Sequence, residues 1–204
     1  MQQQDRSDRS RKAILDKALS LFSKQGYHGT SIREVATAAG LSTGIVYHLF
    51  ADKEAIFRAL LERYFTFLDS PDFSFNKALA EGAFPNDLEK LGRASRESVR
   101  RYKPYVALIY VDVVEFEGKH IRRFYADMAR RFESSMAAHP GAADLRAQLR
   151  PGVSPVSAIM LASRFLLHYY AVEIVFGVKN HFGKNSEDVV KEIADILRHG
   201  MLRR

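Results

Sequence analysis

The chain has 204 residues, of which 47% are hydrophobic and 27% are charged, and its formal net charge is +7. These proportions are typical of a globular protein and exclude a disordered or collagen-like chain. There is no cysteine, which excludes disulfides and thiol chemistry and is compatible with a reducing cytoplasm. The positive charge favours a nucleic-acid partner, but it is spread along the whole chain, so charge alone is weak support.

The N-terminal segment contains no apolar stretch of the kind found in a signal peptide. Residues 1–10 are polar and of mixed charge, which predicts a flexible arm. A first helix is predicted from about Ser10 to Gln25, with its apolar residues at helical spacing and Gly26 as its end.

The segment Thr30–Phe57 carries the most informative pattern in the chain. Ser31 followed three residues later by Glu34 is a capping box, which predicts a helix start. Apolar residues then recur at helical spacing until Gly40, where a sharp turn with positive φ is expected. Two short helices joined by a tight turn are therefore predicted.

A second short helix is predicted from Thr43 to Leu49, with Ser42 as its N-cap. It buries few residues and displays small, polar and aromatic side chains, which suits the floor of a DNA major groove. Asp52 caps the following helix, whose first residue, Lys53, adds a cation. The predicted DNA-binding residues are Ser31, Arg33, Ser42, Thr43, Gly44, Ile45, Tyr47, His48 and Lys53.

An ordinary helical hairpin with a capped corner is the competing interpretation, because capping boxes alone are common. The joint spacing instead resembles the DNA-binding domain of the tetracycline-repressor (TetR) family of bacterial regulators, over about Arg11 to Leu61. The matching residues are Gly26-Tyr27, Thr30, Ile32, Val35-Ala36, Ala39-Gly40-Leu41-Ser42, Gly44, Tyr47, Phe50 and Lys53. One position departs from the family pattern: Leu49 stands where His or Tyr usually contacts a phosphate.

No strand pattern is evident, so the predicted fold class is all-α with about nine helices. With the resemblance, the predicted organisation is an arm at 1–10, a helix-turn-helix DNA-binding domain at 11–52 and a ligand-binding and dimerisation domain at 53–204. The apolar segment Ile159–Val178 carries Arg164, His168 and Glu173, which predicts a buried helix and no membrane span.

The sequence offers no catalytic constellation. Its seven histidines show no metal-binding spacing, and there is no glycine-rich phosphate loop or nucleophile elbow. Asp112, Glu115 and Glu117 form an acidic cluster, but Glu115 lies four residues before Lys119 and is expected to form an ordinary surface pair with it. We predict no enzyme activity, no metal and no cofactor.

Aromatic residues accumulate in the second half of the chain, and packing in a core explains any single one of them. Together they also suit a mainly apolar ligand held by one or two hydrogen bonds. The predicted ligand-binding residues are Tyr105, Tyr110, Phe124, Met128, Phe165, His168 and Tyr169. His168 has two interpretations, as a ligand contact or as an interface histidine.

Two helices, near 155–176 and 186–202, carry apolar residues suited to association, and the first is apolar on more than one face. The resemblance implies that these helices form a homodimer interface. It also implies a cytoplasmic regulator that is released from a palindromic operator by a small molecule. The alternative is a constitutive DNA-binding protein of the same fold that recruits a protein partner.

Overall fold

The computed structural model describes residues 2–137 and 142–202. The described residues form twelve helices: α1 (Gln2–Gln25), α2 (Ile32–Ala39), α3 (Thr43–Leu49), α4 (Lys53–Asp69), α5 (Ser74–Ala80), α6 (Ala83–Asn86), α7 (Leu88–Arg101), α8 (Lys103–Phe116), α9 (Arg122–Ala137), α10 (Ala142–Gln148), α11 (Pro155–Ile174) and α12 (Ser186–Met201).

The all-α prediction is confirmed. The nine helices expected from the sequence are present, and the short helices α5, α6 and α10 lie in segments predicted to be mostly loop. Across the described residues the only β-type pairing is an isolated bridge between Leu149 and Leu202. The sequence His139-Pro140-Gly141 predicts an interruption between two helices, and these three residues lie outside the described residues.

Helix α1 begins at Gln2, so residues 2–10, predicted to be a flexible arm, continue the helix. The physical reason is the cooperativity of helix formation. Buried residues such as Ile14, Ala18 and Phe22 fix the C-terminal part of α1 against its neighbours. Propagation from a fixed helix costs far less than nucleation, and Gln and Arg are good helix formers.

The chain divides into two compact units. Unit one comprises residues 1–67 and 104–123, and unit two comprises residues 68–103 and 124–204. The sequence predicted a boundary after residue 52, whereas the structure groups most of α4 and α8 with the helix-turn-helix. Ile56, Phe57, Leu60 and Leu61 of α4 are all buried, which explains why α4 belongs to this unit.

Unit two is built around α7, which packs on α11, α12 and α5. Leu88 and Leu91 of α7 and Leu166 of α11 are fully buried in its core. Gly92 lets α12 approach closely, because a Cβ at this position would lie 2.5 Å from a methyl group of Val190. Within the part of the chain that the structure describes, no helix is long and apolar enough to cross a membrane.

Candidate nucleic-acid interface

The turn between α2 and α3 has the geometry predicted from its capping residues. The Ser31 hydroxyl accepts from the Glu34 amide at 3.2 Å, and a Glu34 carboxylate oxygen accepts from the Ser31 amide at 2.7 Å. Gly40 adopts the left-handed conformation at φ +68°, and its N–H donates to carbonyls of the last turn of α2. A side chain at Gly40 would be strained, so this residue fixes the sharp corner.

Helix α3 is attached to the unit through one face only. Ser42 caps it by accepting from the Ile45 amide at 3.4 Å, and Val46 and Phe50 are buried. The other side is open: Ser42, Thr43, Gly44, Ile45, Tyr47 and His48 are all exposed. Tyr47 is 57% exposed and Ile45 41%, so both side chains are available for contact with a partner.

Arg11 of α1 holds the C-terminal end of α3. Its guanidinium donates to the Leu49 carbonyl at 3.1 Å and lies 4.3 Å from the centre of the Phe50 ring. A cation at a helix C-terminus is favourable because the last carbonyls carry partial negative charge. The sequence analysis did not find this contact, because 38 residues separate the donor and acceptor. Leu49 itself is half-buried.

Lys53 faces the inside of the unit more than the sequence predicted. Its ammonium donates to the carbonyls of Tyr27 at 2.8 Å and of Thr30 at 2.7 Å, and it lies 4.1 Å from the centre of the Tyr27 ring. Burial lowers the pKa of Lys53, against the opposing effect of Glu115 and Glu34. Two of its three N–H donors therefore stabilise the turn between α1 and α2.

The same turn is held by Glu115, near the end of α8. Its carboxylate accepts from the Tyr27 amide at 3.1 Å and from the His28 amide at 2.6 Å, and it lies 2.6 Å from the His28 ring. Gly26, at φ +80°, makes this approach possible, since a Cβ there would lie 2.4 Å from the carboxylate. The predicted pair between Glu115 and Lys119 is wrong.

Lys119 instead pairs with Glu54 of α4 at 2.6 Å. The ring of His120 lies between two carboxylates, 2.5 Å from Asp112 of α8 and 2.9 Å from Glu54. Asp112 is fully buried and also accepts from the His120 and Ile121 amides, which offsets the cost of burying its carboxylate. Asp112 of the predicted acidic cluster is therefore a buried residue of unit one.

Aromatic packing reinforces these polar contacts. The Phe116 ring lies 4.5 Å from the Tyr27 ring and 4.9 Å from the Phe57 ring, measured between centroids. Phe57 also packs edge-on against Phe22 of α1. The end of α8 is thus joined to α1 and α4 by both charge and apolar area. We call Asp112, Glu115, Phe116, Lys119 and His120 the α8 clamp.

Comparison with known proteins agrees with this geometry. Residues 14–60 match the model of the bacterial regulatory proteins of the tetR family. The chain is 44% identical over 54 residues to the transcriptional repressor ComR of Escherichia coli, which is 26% of each chain. It is 30% identical over 124 residues to the repressor NicS of Pseudomonas putida, covering 57% of this chain and 54% of that protein.

The resemblance in fold extends beyond the helix-turn-helix. A crystal structure of a TetR-family transcriptional regulator from Mesorhizobium loti superposes with a TM-score of 0.65 at 25% identity, over 96% of both chains. This likeness extends the resemblance to TetR-family regulators from the helix-turn-helix to the helical fold that follows it. By sequence, it spans about a quarter to about half of the length of the two curated relatives named above.

The ligand-binding residues predicted from the sequence are divided between the two units. Tyr105 and Tyr110 belong to unit one, where the Tyr105 ring stacks on Tyr64 at 5.4 Å. Phe124, Met128, Phe165, His168 and Tyr169 belong to unit two. Phe165 and His168 lie on the exposed face of α11, which favours the interface interpretation of His168.

Tyr169 is the predicted ligand residue with the most informative surroundings. Its side chain is buried, yet its hydroxyl has no hydrogen-bond partner among the described residues, and neither has the buried Ser98 hydroxyl. Buried polar groups in proteins nearly always have partners, so an exception requires an explanation. The aromatic periodicity of the sequence indicated burial of Tyr169 but gave no sign of this missing partner.

The α8 clamp predicts a specific loss of stability in acid. Burial raises the pKa of Glu115, but the hydrogen bonds from His28 and Tyr27 outweigh it, and the net pKa is lowered from 4.5. A lowered folded-state pKa stabilises the protein fully above the unfolded value and progressively less as the pH falls through the folded value. Glu115→Gln should therefore lower the thermal midpoint at neutral pH, with a difference from wild type that shrinks below pH 4.5.

Glu117→Gln, an exposed glutamate two residues away, is the matched control and should follow the wild-type curve. Thermal unfolding monitored by circular dichroism across this pH range measures both variants. A Glu115→Gln curve that runs parallel to wild type at every pH would show that the carboxylate charge does not stabilise the clamp.

Proposed function

We propose that the protein is a DNA-binding transcriptional regulator that acts as a homodimeric repressor on a palindromic operator. The observation that carries this proposal is the exposed face of α3, which presents six predicted contact residues on a frame fixed by caps, Arg11 and the α8 clamp. Rigid presentation matters because base readout depends on hydrogen-bond geometry. Both relatives named above are called repressors.

The contacts are divided by their place in the fold. Exposed residues of α3, above all Tyr47 and His48, enter the major groove, while Ser31 and Arg33 at the start of α2 approach the phosphate backbone and a base edge. Two N–H groups of the Lys53 ammonium donate to carbonyls, and its third N–H donates to a phosphate of the DNA. These roles place the protein in the cytoplasm, with the DNA.

The proposed dimer uses the exposed apolar faces of α11 and α12. Leu161, Phe165 and Phe176 lie along one side of the α11 segment and are about half exposed, and Ile196 of α12 is 69% exposed. Large apolar side chains in contiguous patches mark interaction surfaces in soluble proteins. Two short recognition helices are needed because one α3 alone contacts too few base pairs for useful specificity.

The proposed effector is a small, mainly apolar molecule that lowers operator affinity. The unpartnered hydroxyl of Tyr169 supports it, since a ligand would supply the missing partner in an otherwise apolar core. The division of the predicted ligand residues between the two units favours the alternative, a constitutive DNA-binding protein that recruits a protein partner. Release requires that the ligand bind the DNA-incompetent state more tightly than the competent one.

The operator should be a palindrome read by α3. Selection of bound sequences from a random duplex pool should yield two half-sites whose centres lie about 34–36 Å apart, or a multiple of that distance. Tyr47→Ala should weaken specific binding by about 1–3 kcal/mol, measured by fluorescence anisotropy, without changing the thermal midpoint.

The control for this experiment is Tyr125→Ala, which removes another exposed tyrosine, in α9 of unit two, and should leave DNA binding unchanged. Binding of one unpaired half-site by a monomer would refute the palindromic operator. If Tyr47→Ala binds the operator with wild-type affinity, the proposal that α3 forms part of the DNA interface is contradicted.

The dimer should depend on the apolar faces of α11 and α12. Phe165→Asp or Ile196→Glu places a charge on an exposed apolar residue and should convert a dimer, twice 23.2 kDa, to monomer in sedimentation equilibrium. Val114→Asp is the matched control, because Val114 is 80% exposed but belongs to unit one. Dimers in both interface variants, or a monomeric wild type, would contradict the proposal.

A ligand response would distinguish the regulator from the constitutive alternative. Tyr169→Phe removes only the unpartnered hydroxyl, so it should not reduce stability. It should raise the concentration of an apolar effector needed for operator release by roughly 2–10-fold, the effect of one hydrogen bond. Tyr125→Phe should leave that concentration unchanged. If no compound in a hydrophobic panel changes operator affinity, the constitutive alternative replaces ligand release.

A further inference from the structure

A surface cleft of about 400 Å³ lies in unit two, beside α5 and α7. It is separate from the exposed face of α3 and from the apolar faces of α11 and α12. We call it the α5–α7 cleft. Its polar lining consists of Asp72, Ser74, Lys77, Glu81, Lys90, Arg93 and Arg101, with Ala78 and Ala94 as its apolar part. None of the residues predicted from the sequence to bind ligand or DNA lines it.

The spacing of charges along α7 creates one wall of this cleft. Lys90, Arg93 and Arg101 lie three and eight residues apart, which brings them to neighbouring positions along one side of a helix. The opposite side of α7 is buried against α11 and α12 through Leu88 and Leu91. Packing of the apolar face therefore directs these three cations outward, and Lys77 of α5 adds a fourth.

Two of the four cations are already engaged by carboxylates. Lys90 pairs with Glu81 at 2.9 Å, and this contact lowers the pKa of Glu81. Arg93 lies 4.0 Å from Asp87, a weak pair between exposed side chains. Asp87 is also occupied as the N-cap of α7, where it accepts from the Lys90 amide at 2.7 Å.

The other two cations have no such partner. Among the described residues, neither Lys77 nor Arg101 has a carboxylate within 4.0 Å. Lys77 acts on Glu81 only at longer range, as a minor cause of its lowered pKa, and the Arg101 guanidinium lies over the ring of its neighbour Tyr102, 5.6 Å from the ring centre. The lining as a whole holds four cations and two carboxylates, a surplus of two positive charges. Unpaired cations that converge on a concave surface favour an anion there.

We propose that the α5–α7 cleft is a binding site for a small organic anion with at least two negative charges. Lys77 and Arg101 bind the anionic groups, and a guanidinium can hold a carboxylate or phosphate through two parallel hydrogen bonds. The Ser74 hydroxyl and the Asp72 carboxylate accept hydrogen bonds from hydroxyl or amine groups of the same molecule. The volume lies within the range of small-molecule sites.

This site is independent of the proposed function, since its occupation requires neither DNA nor a dimer. It also differs in chemistry from the proposed effector, which is mainly apolar. The phosphate backbone of DNA is the competing polyanion. A duplex is too wide to enter a cleft of this volume, so a role in DNA binding would involve only the rim.

Isothermal titration with citrate tests the site, with pyrophosphate as a second multivalent probe and acetate as the monovalent control at matched ionic strength. Citrate and pyrophosphate should bind with one site per chain, and acetate should not bind measurably. Lys77→Gln combined with Arg101→Gln should weaken citrate binding by at least about tenfold, because two charge-assisted contacts are lost.

Arg100→Gln combined with Lys103→Gln is the matched control, since it removes the same charge from exposed positions nearby that do not line the cleft. This control should bind citrate as wild type does. Arg101→Lys should bind more tightly than the double variant but more weakly than wild type, because it keeps the charge and loses the two parallel hydrogen bonds. Equal losses in both double variants, or no citrate binding to the wild type, would overturn the proposal. So would a cleft variant that loses affinity for duplex DNA, because the cations would then serve the phosphate backbone.

Discussion

The short turn between α1 and α2 is the point on which the arrangement of unit one depends. Its backbone groups are bound by side chains of opposite charge from two different helices. The Glu115 carboxylate accepts from the Tyr27 and His28 amides, and the Lys53 ammonium donates to the Tyr27 and Thr30 carbonyls. Donors thus meet an anion and acceptors meet a cation, and these contacts add to the one backbone hydrogen bond within the turn, from the Thr30 amide to the Tyr27 carbonyl. Because α2 begins directly after this turn, its placement follows from these contacts.

The same contacts join the turn before α2 to α8. Helix α8 lies in the chain between the two segments of unit two, and its final turn ends among the aromatic rings of α1 and α4. Asp112, His120 and Glu54 form a continuous chain of polar contacts from α8 to the start of α4. A shift of α8 therefore displaces the turn before α2 or breaks several charged hydrogen bonds at once.

Unit two uses a single helix for two purposes. One side of α7 forms the centre of its core, and the other presents cations to the α5–α7 cleft. The sequence predicted a helix with a modest apolar face from Asp87 to Tyr102, and it assigned no role to the basic residues of this helix. Their position beside Lys77 depends on the packing of α5. Helix α5 lies in a segment that was predicted to be mostly loop. Likewise, the aromatic residues suggested one ligand site, whereas the fold divides them between two units.

The sequence by itself determined the all-α class, the nine main helices, the capped turn at Gly40 and the outward face of α3. Each depends on interactions within a few residues, such as the Ser31–Glu34 capping box or a glycine at positive φ. Such short-range interactions can be predicted from the neighbouring residues in the sequence. Only the tertiary structure decided the partners of Glu115, Lys53 and Arg11. Glu115 meets His28 across 87 residues and Arg11 meets Leu49 across 38. Helical spacing predicted Lys119 as the partner of Glu115. The packing of α8 on α1 instead places two backbone amides and the His28 imidazole within reach of the Glu115 carboxylate. These three groups stabilise the carboxylate more than one flexible, exposed ammonium would.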